Sequence, residues 1–196
     1  IVQRLEDKIY AEKSHTQPVI HLDKNEKLKG LHFLEQIYQA IIKKIVLVVT
    51  YKSFKSQEAN QFTFYPFLLK EFNNRWFMVG KRKESHPISN LALDRIERLD
   101  FNFQLPFIST DFDADAFYKN VIGVTVNTGV QPRAIRLWID ATNAPYVLTK
   151  PLLCSHRYLQ SNEDGSIIIN LFLIENYEME RLFLGFGNGL EVLKPE

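Results

Sequence analysis

The sequence predicts an α+β protein: a small antiparallel β-barrel preceded by one helix, then a β-α-β-β-α-β unit of ferredoxin-like order. Three observations carry that expectation. Apolar residues recur at helical spacing over 31–44, β-branched and aromatic runs of strand length crowd 45–103, and strands alternate with helices beyond an acidic, proline-bearing stretch.

Residues 1–30 are polar and irregular, with lysine-rich Lys24–Lys29 running into Gly30, and read as a connector. Leu31, Leu34, Ile37, Tyr38, Ile41 and Ile42 then fall at helical spacing, which predicts an amphipathic helix over 31–44. From Ile45 the period becomes two. Val46, Val48 and Thr50 alternate with Leu47, Val49 and Tyr51 in a first strand. A second strand over 62–72 contains Pro66, which lacks a ladder donor and so marks an edge or a bulge. Trp76–Lys81, between Asn73-Asn74 and a basic turn, is a third strand, and 89–101 is its partner. One helix and a handful of short antiparallel strands predict a small closed barrel over 31–103.

Residues 104–132 form a linker. Asp111, Asp113 and Asp115 sit where a helix over Ala114–Asn120 would begin, because carboxylates cap and stabilise a helix N-terminus. The last unit, 133–196, reads as strand 134–139, helix 141–150, a hairpin of 155–160 and 166–174 around Asn162-Glu163-Asp164-Gly165, helix 177–186 and strand 190–193. That order is the ferredoxin-like one.

Composition bounds the function. Net charge is only +1, but residues 1–98 hold 17 Lys/Arg against 11 Asp/Glu, whereas 99–196 hold 7 against 12. A polyanion would meet the first half. A single cysteine, Cys154, excludes an internal disulfide and reads as a small buried hydrophobe in a reducing, cytoplasmic setting. No apolar run is long enough to span a bilayer. The chain starts at Ile1 and not at Met, so a preceding portion of the protein is expected.

Catalytic and metal chemistry find no pattern. The aspartate alternation fails as a calcium loop, since the glycine and glutamate positions hold Ala116 and Ile122. The histidines (His15, His21, His32, His86, His156) lack metal-ligand spacing. Gly185-Phe186-Gly187-Asn188-Gly189 follows a helix and precedes a strand, the reverse of a dinucleotide loop, and reads as a helix end with a tight turn. No enzyme, metal or cofactor is expected. What remains is the basic and aromatic strand pair, with six Lys/Arg against three acids between Arg75 and Arg98. Alternation puts Arg75, Phe77, Val79 and Lys81 on one face and Trp76, Met78 and Gly80 on the other. If the Arg75 face is open, Arg75, Lys81 and Arg95 or Arg98 could grip phosphates while an aromatic ring stacks a base.

Trp76-Phe77-Met78-Val79-Gly80 with Leu93-Asp94-Arg95-Ile96 resembles the WYL-domain family, named for a Trp-Tyr-Leu strand motif. Tyr51, Pro66 and Leu68 fall where that family expects them. Glu180–Gly187 and Leu190–Pro195 resemble the closing helix and strand of the family's WCX extension. The resemblance implies an Sm-like or SH3-like barrel and the sensor half of a bacterial transcription regulator. In such a regulator a helix-turn-helix domain binds promoter DNA, the barrel senses single-stranded nucleic acid or a nucleotide, and the WCX unit assists homodimer assembly or gating. The positions it marks are Tyr51, Arg75, Phe77, Lys81 and Arg95 for the ligand, with Trp76 and Met78 as motif residues. Two departures imply weaker or shifted binding: Phe77 replaces the family's Tyr, and Ala92 stands where an Arg is frequent. The competing reading is a dimerisation module without a ligand, motivated by the opposite charges of the two halves.

Overall fold

The computed structural model describes residues 29–84, 86–108 and 111–195. Most of the expected connector, with His15 and His21, lies outside the described residues. Two antiparallel sheets carry the fold, one of order β4-β3-β2-β1-β5 and one of order β7-β8-β6-β9.

A 3-10 turn (Leu31–Phe33) leads into α1 (Leu34–Ile42). Phe33, Ile37 and Ala40 face the core, with Leu34 and Ile41 packed beside them. Tyr38 and Ile42 were expected in that apolar stripe but are 52% and 63% exposed. They sit one residue beyond Ile37 and Ile41, and a 100° step carries them off the buried face. The Gln36 amide donates to the Leu99 carbonyl at 3.0 Å and ties the helix to the sheet.

The first sheet comprises β1 (Val46–Tyr51), β2 (Asn60–Phe72), β3 (Arg75–Lys81), β4 (Ser89–Ala92) and β5 (Ile96–Asn102). Strand β2 is its centre. Its first part pairs with β1 and its second with β3, and the register shifts between Pro66 and Leu68. Pro66 therefore marks a bulge and not an edge. Opposite it, Gly80 leaves room for the Tyr65 carbonyl and the Phe64 ring, which any Cβ would overlap. The single strand expected over 89–101 is broken by a 3-10 turn at Leu93–Arg95. This turn carries the chain from edge β4 to edge β5. Those edges do not pair, so the closed barrel expected from the sequence does not form.

In the linker, α2 (Ala114–Tyr118) is capped by Asp113, whose Oδ1 accepts from the Asp115 and Ala116 amides at 2.9 and 3.1 Å. Aromatic rings strap this linker along β2: Phe107 meets Tyr65 and Phe67, and Phe112 meets Phe67 and Phe117. The Tyr118 hydroxyl donates to Asn90 Oδ1 at 3.1 Å, and the Asn90 amide donates to the Val124 carbonyl. Burial, and then the negative charge of Glu178, push the Tyr118 phenol up, so it stays a neutral donor.

The C-terminal unit runs β6 (Arg133–Ile139), α3 (Ala144–Thr149), β7 (Arg157–Ser161), β8 (Ile167–Leu173), α4 (Tyr177–Leu184) and β9 (Leu190–Lys194). This is the expected order of elements. Alternate residues of β6 and β8 fill its core: Ile135, Leu137 and Ile139 with Ile167, Ile169, Leu171 and Leu173. Cys154, expected inside, is exposed, because the segment after α3 is an irregular surface loop. Burial lowers the pKa of nearby His156, whose Nδ1 has no hydrogen-bond partner among the described residues. The unfolded chain thus binds more protons once pH falls below about 6.5, so this contribution to stability is intact above that value and declines below it. His156→Gln is expected to flatten the loss of urea midpoint between about pH 7 and 5; a pH profile identical to that of the parent would contradict the assignment.

Candidate functional site

The 3-10 turn Leu93–Arg95 builds the site. Leu93 is buried and anchors the turn in the core. Asp94 and Arg95 follow at the place where β4 becomes β5, and both side chains are partly buried. Gly30 packs directly on this turn with φ 86°, and a Cβ there would overlap the Leu93 carbonyl. Lys52, just past β1, donates its amide to the Arg95 carbonyl at 3.0 Å and closes the other side.

Asp94 is the electrostatic pivot. Its side chain is 13% exposed, with Oδ2 3.4 Å from Arg75 Nε and Oδ1 3.9 Å from Arg95 Nε. Neither Asp94 Oδ1 nor Arg95 Nε makes a hydrogen bond among the described residues, although both are shielded from solvent. The carboxylate thus holds two cations by charge without consuming their donors. The Arg95 guanidinium also lies 4.2 Å from the centre of the Phe54 ring, a cation–π contact with an aromatic that is itself 76% exposed. Around them is a hollow of about 660 Å³ lined by Lys29, His32, Lys52, Ser53 and Ser56 as well as Glu97. Among its charged groups Lys29, Lys52 and Arg95 face Asp94 and Glu97.

The sequence-marked residues divide. Arg75 and Arg95 are brought together through Asp94. Tyr51 adjoins the site only through its backbone; its ring is in the core, edge-on to Phe62 at 6.5 Å. Trp76 and Met78 pack on the core cluster. Phe77 points to the opposite face, between Lys70 and Ala92, and is half-buried. That face is not open throughout, since Val79 is fully buried and Ala92 nearly so. Lys81 ends the strand, about 20 Å from Arg75 at the rise of an extended chain, where its Nζ reaches the Glu84 carbonyl at 3.5 Å. Arg98 pairs with Asp100 at 2.7 Å. Sequence reasoning missed Lys29, His32, Lys52 and Phe54. The signal for two of them was present: Lys52-Ser53-Phe54-Lys55 interleaves cations and a ring in the loop after β1.

Among the described residues, no group of three or more His, Cys, Asp or Glu is placed to hold a metal, and no helix is long and apolar enough to cross a membrane.

Comparison with known proteins gives two family matches, a WYL domain over residues 32–101 and a WCX domain over 131–196. Among solved structures, the proteasome accessory factor B/C (PafBC) of Arthrobacter aurescens is similar, with 17% identity, 91% of this chain and 26% of that chain covered, and a TM-score of 0.38. The chain thus spans about a quarter of that protein's length. No curated protein matches. The first sheet with its leading helix falls in the WYL match and the second sheet with its two helices in the WCX match; the chain belongs to the WYL-domain family and carries its WCX extension.

Proposed function

We propose that this chain is the effector-sensing and regulatory region of a bacterial DNA-binding transcription regulator, acting in the cytoplasm. Its WYL unit takes single-stranded nucleic acid or a nucleotide in the hollow beside Arg95. The observation that carries this reading is the Arg95 guanidinium, held between Asp94 and Phe54 with no hydrogen bond spent on another of the described residues. A planar fork matches a phosphate bidentately, and an exposed ring beside it offers a stacking platform for a base. Lys29 and Lys52 add charge without fixing sequence. Such a site binds and performs no covalent chemistry. Promoter DNA is contacted by a helix-turn-helix domain elsewhere in the full protein. The five-strand order supports an Sm-like or SH3-like ancestry for the WYL unit. The split β-α-β connections of the WCX unit support the ferredoxin-like reading, with a part in homodimer assembly or gating.

The test is fluorescence anisotropy of a labelled short single-stranded DNA titrated with the chain at low and near-physiological salt, with duplex of the same sequence as control. Preferential binding of the single strand that weakens with salt is expected. No binding at either salt would sink the proposal.

A dimerisation module without a ligand is the second reading. Edge strand β7 favours it, being exposed along its whole length, with Tyr158 and Leu159 50% and 43% accessible. A monomeric mass by light scattering at micromolar concentration, unchanged by salt, would count against it.

A further inference from the structure

A second concavity lies between the two units, away from Arg95. It encloses about 940 Å³, within the range of small-molecule sites, which favour domain boundaries. Phe72 and Asn73, at the tip of the β2–β3 hairpin, form one wall. The linker adds Val121, Ile122 and Gly123, and the WCX unit supplies the rest, with an apolar lining that includes Tyr146, Val147, Leu182 and Phe186. Tyr146 is 73% exposed and presents its ring at the mouth of this groove.

Three charged residues reach this groove: Lys150, Glu178 and Arg181. Glu178 is only partly engaged: its Oε1 accepts from the Thr125 hydroxyl at 2.7 Å and Gly123 lies against its stem, while its Oε2 is shielded from solvent without a hydrogen-bond partner among the described residues. Lys150 and Arg181 are both exposed, and neither has an ion pair among the described residues. Arg181 lies over the Tyr177 ring, 5.5 Å from its centre, and lines the groove as well. The available chemistry is therefore an apolar trough with a cationic margin.

We propose that this groove binds an amphipathic anion, a molecule with an apolar body and a single carboxylate, sulfonate or phosphate head. The body lies on Tyr146, Val147, Leu182 and Phe186, and the head is directed to Lys150 and Arg181. An occupant touches Phe72 and Asn73 of the WYL unit as well as the WCX helices, so its binding stabilises one arrangement of the two units by mass action. The site is independent of the Arg95 hollow.

The experiment uses 8-anilinonaphthalene-1-sulfonate fluorescence as the binding readout and decanoate as the displacing probe, with decanol and decylamine as uncharged and cationic controls of equal length. Saturable binding is expected, displaced by decanoate in preference to both controls. Lys150→Glu and Arg181→Gln are each expected to weaken it about fivefold, the factor for the loss of roughly 1 kcal/mol at an exposed charge. Both change exposed residues, so the melting temperature should hold, and Arg95→Ala should leave dye binding unaltered. Absence of saturable binding, unchanged affinity in both charge variants, or equal displacement by decanol and decylamine would each overturn the proposal.

Discussion

Replacing Gly30 with alanine is expected to destabilise the WYL unit by about 2–5 kcal/mol and to weaken oligonucleotide binding as well. A non-glycine residue at this positive φ costs about 1–2 kcal/mol, and a methyl group driven into a packed neighbour costs about 1–3 kcal/mol more. Here that neighbour is the backbone of the turn itself, at the Leu93 carbonyl and the Asp94 amide, which cannot swing aside like a side chain. Moving the turn moves Asp94, and with it the charge that holds Arg75 and Arg95. Urea denaturation gives the stability loss and anisotropy the binding loss. A variant with the parent's midpoint and affinity would show that the turn does not depend on Gly30.

Asn176→Ala is expected to cost about 2–4 kcal/mol, concentrated in the WCX unit and its linker. The side chain is 4% exposed and fully used. Its Oδ1 caps α4 by accepting from the Met179 amide at 2.8 Å, and its Nδ2 donates to the Ile122 and Thr125 carbonyls, each at 2.8 Å. Losing the cap costs about 1 kcal/mol, and the buried Ile122 carbonyl left without its donor costs about 1–3 kcal/mol, whereas the Thr125 carbonyl, on an exposed residue, can turn to water. Because Ile122 and Thr125 belong to the linker that Asn90 grips from the WYL side, the loss should also loosen that strap. Hydrogen exchange can localise it: faster exchange over 121–127 and at the start of α4 is expected, and protection equal to the parent's would contradict this accounting.

The strands were legible because their periods were clean. Residues 47–51 and Ile167–Leu173 alternate inside and outside as two-residue periodicity requires, although Val46 is buried beside Leu47, and Pro66 announced the bulge. What the sequence concealed was tertiary. Leu93-Asp94-Arg95 lies in a continuous strand-like pattern, and only packing against Gly30 and the reach from β4 to β5 turn it into a 3-10 turn. Closure of the barrel was inferred from strand count, but it depends on edge pairing, which no local pattern encodes. Tyr38 and Ile42 show the same limit, since an apolar residue near a stripe is not yet inside it.

The site was half visible. Arg75 and Arg95 are 20 residues apart in sequence, and Asp94 between them in space is what makes them one feature. Lys29, His32, Lys52 and Phe54 come from two other segments, folded against the turn from either side. Alternation along β3 placed Lys81 on the face of Arg75 but not near it, because one face of a seven-residue strand is as long as the strand.

Oligonucleotide affinity across a salt series for Arg95→Ala and Lys81→Ala, each beside the parent chain, tests the proposed polyanion site beside Arg95 most directly. Arg95→Ala should weaken single-strand binding about tenfold or more, the scale of a lost charge-assisted hydrogen bond, and flatten the log–log salt slope by about 0.7, the share of one phosphate contact. Lys81→Ala should leave both close to the parent's values. Loss of affinity and slope in Lys81→Ala with Arg95→Ala unaffected would contradict the account and move the site to the far end of β3.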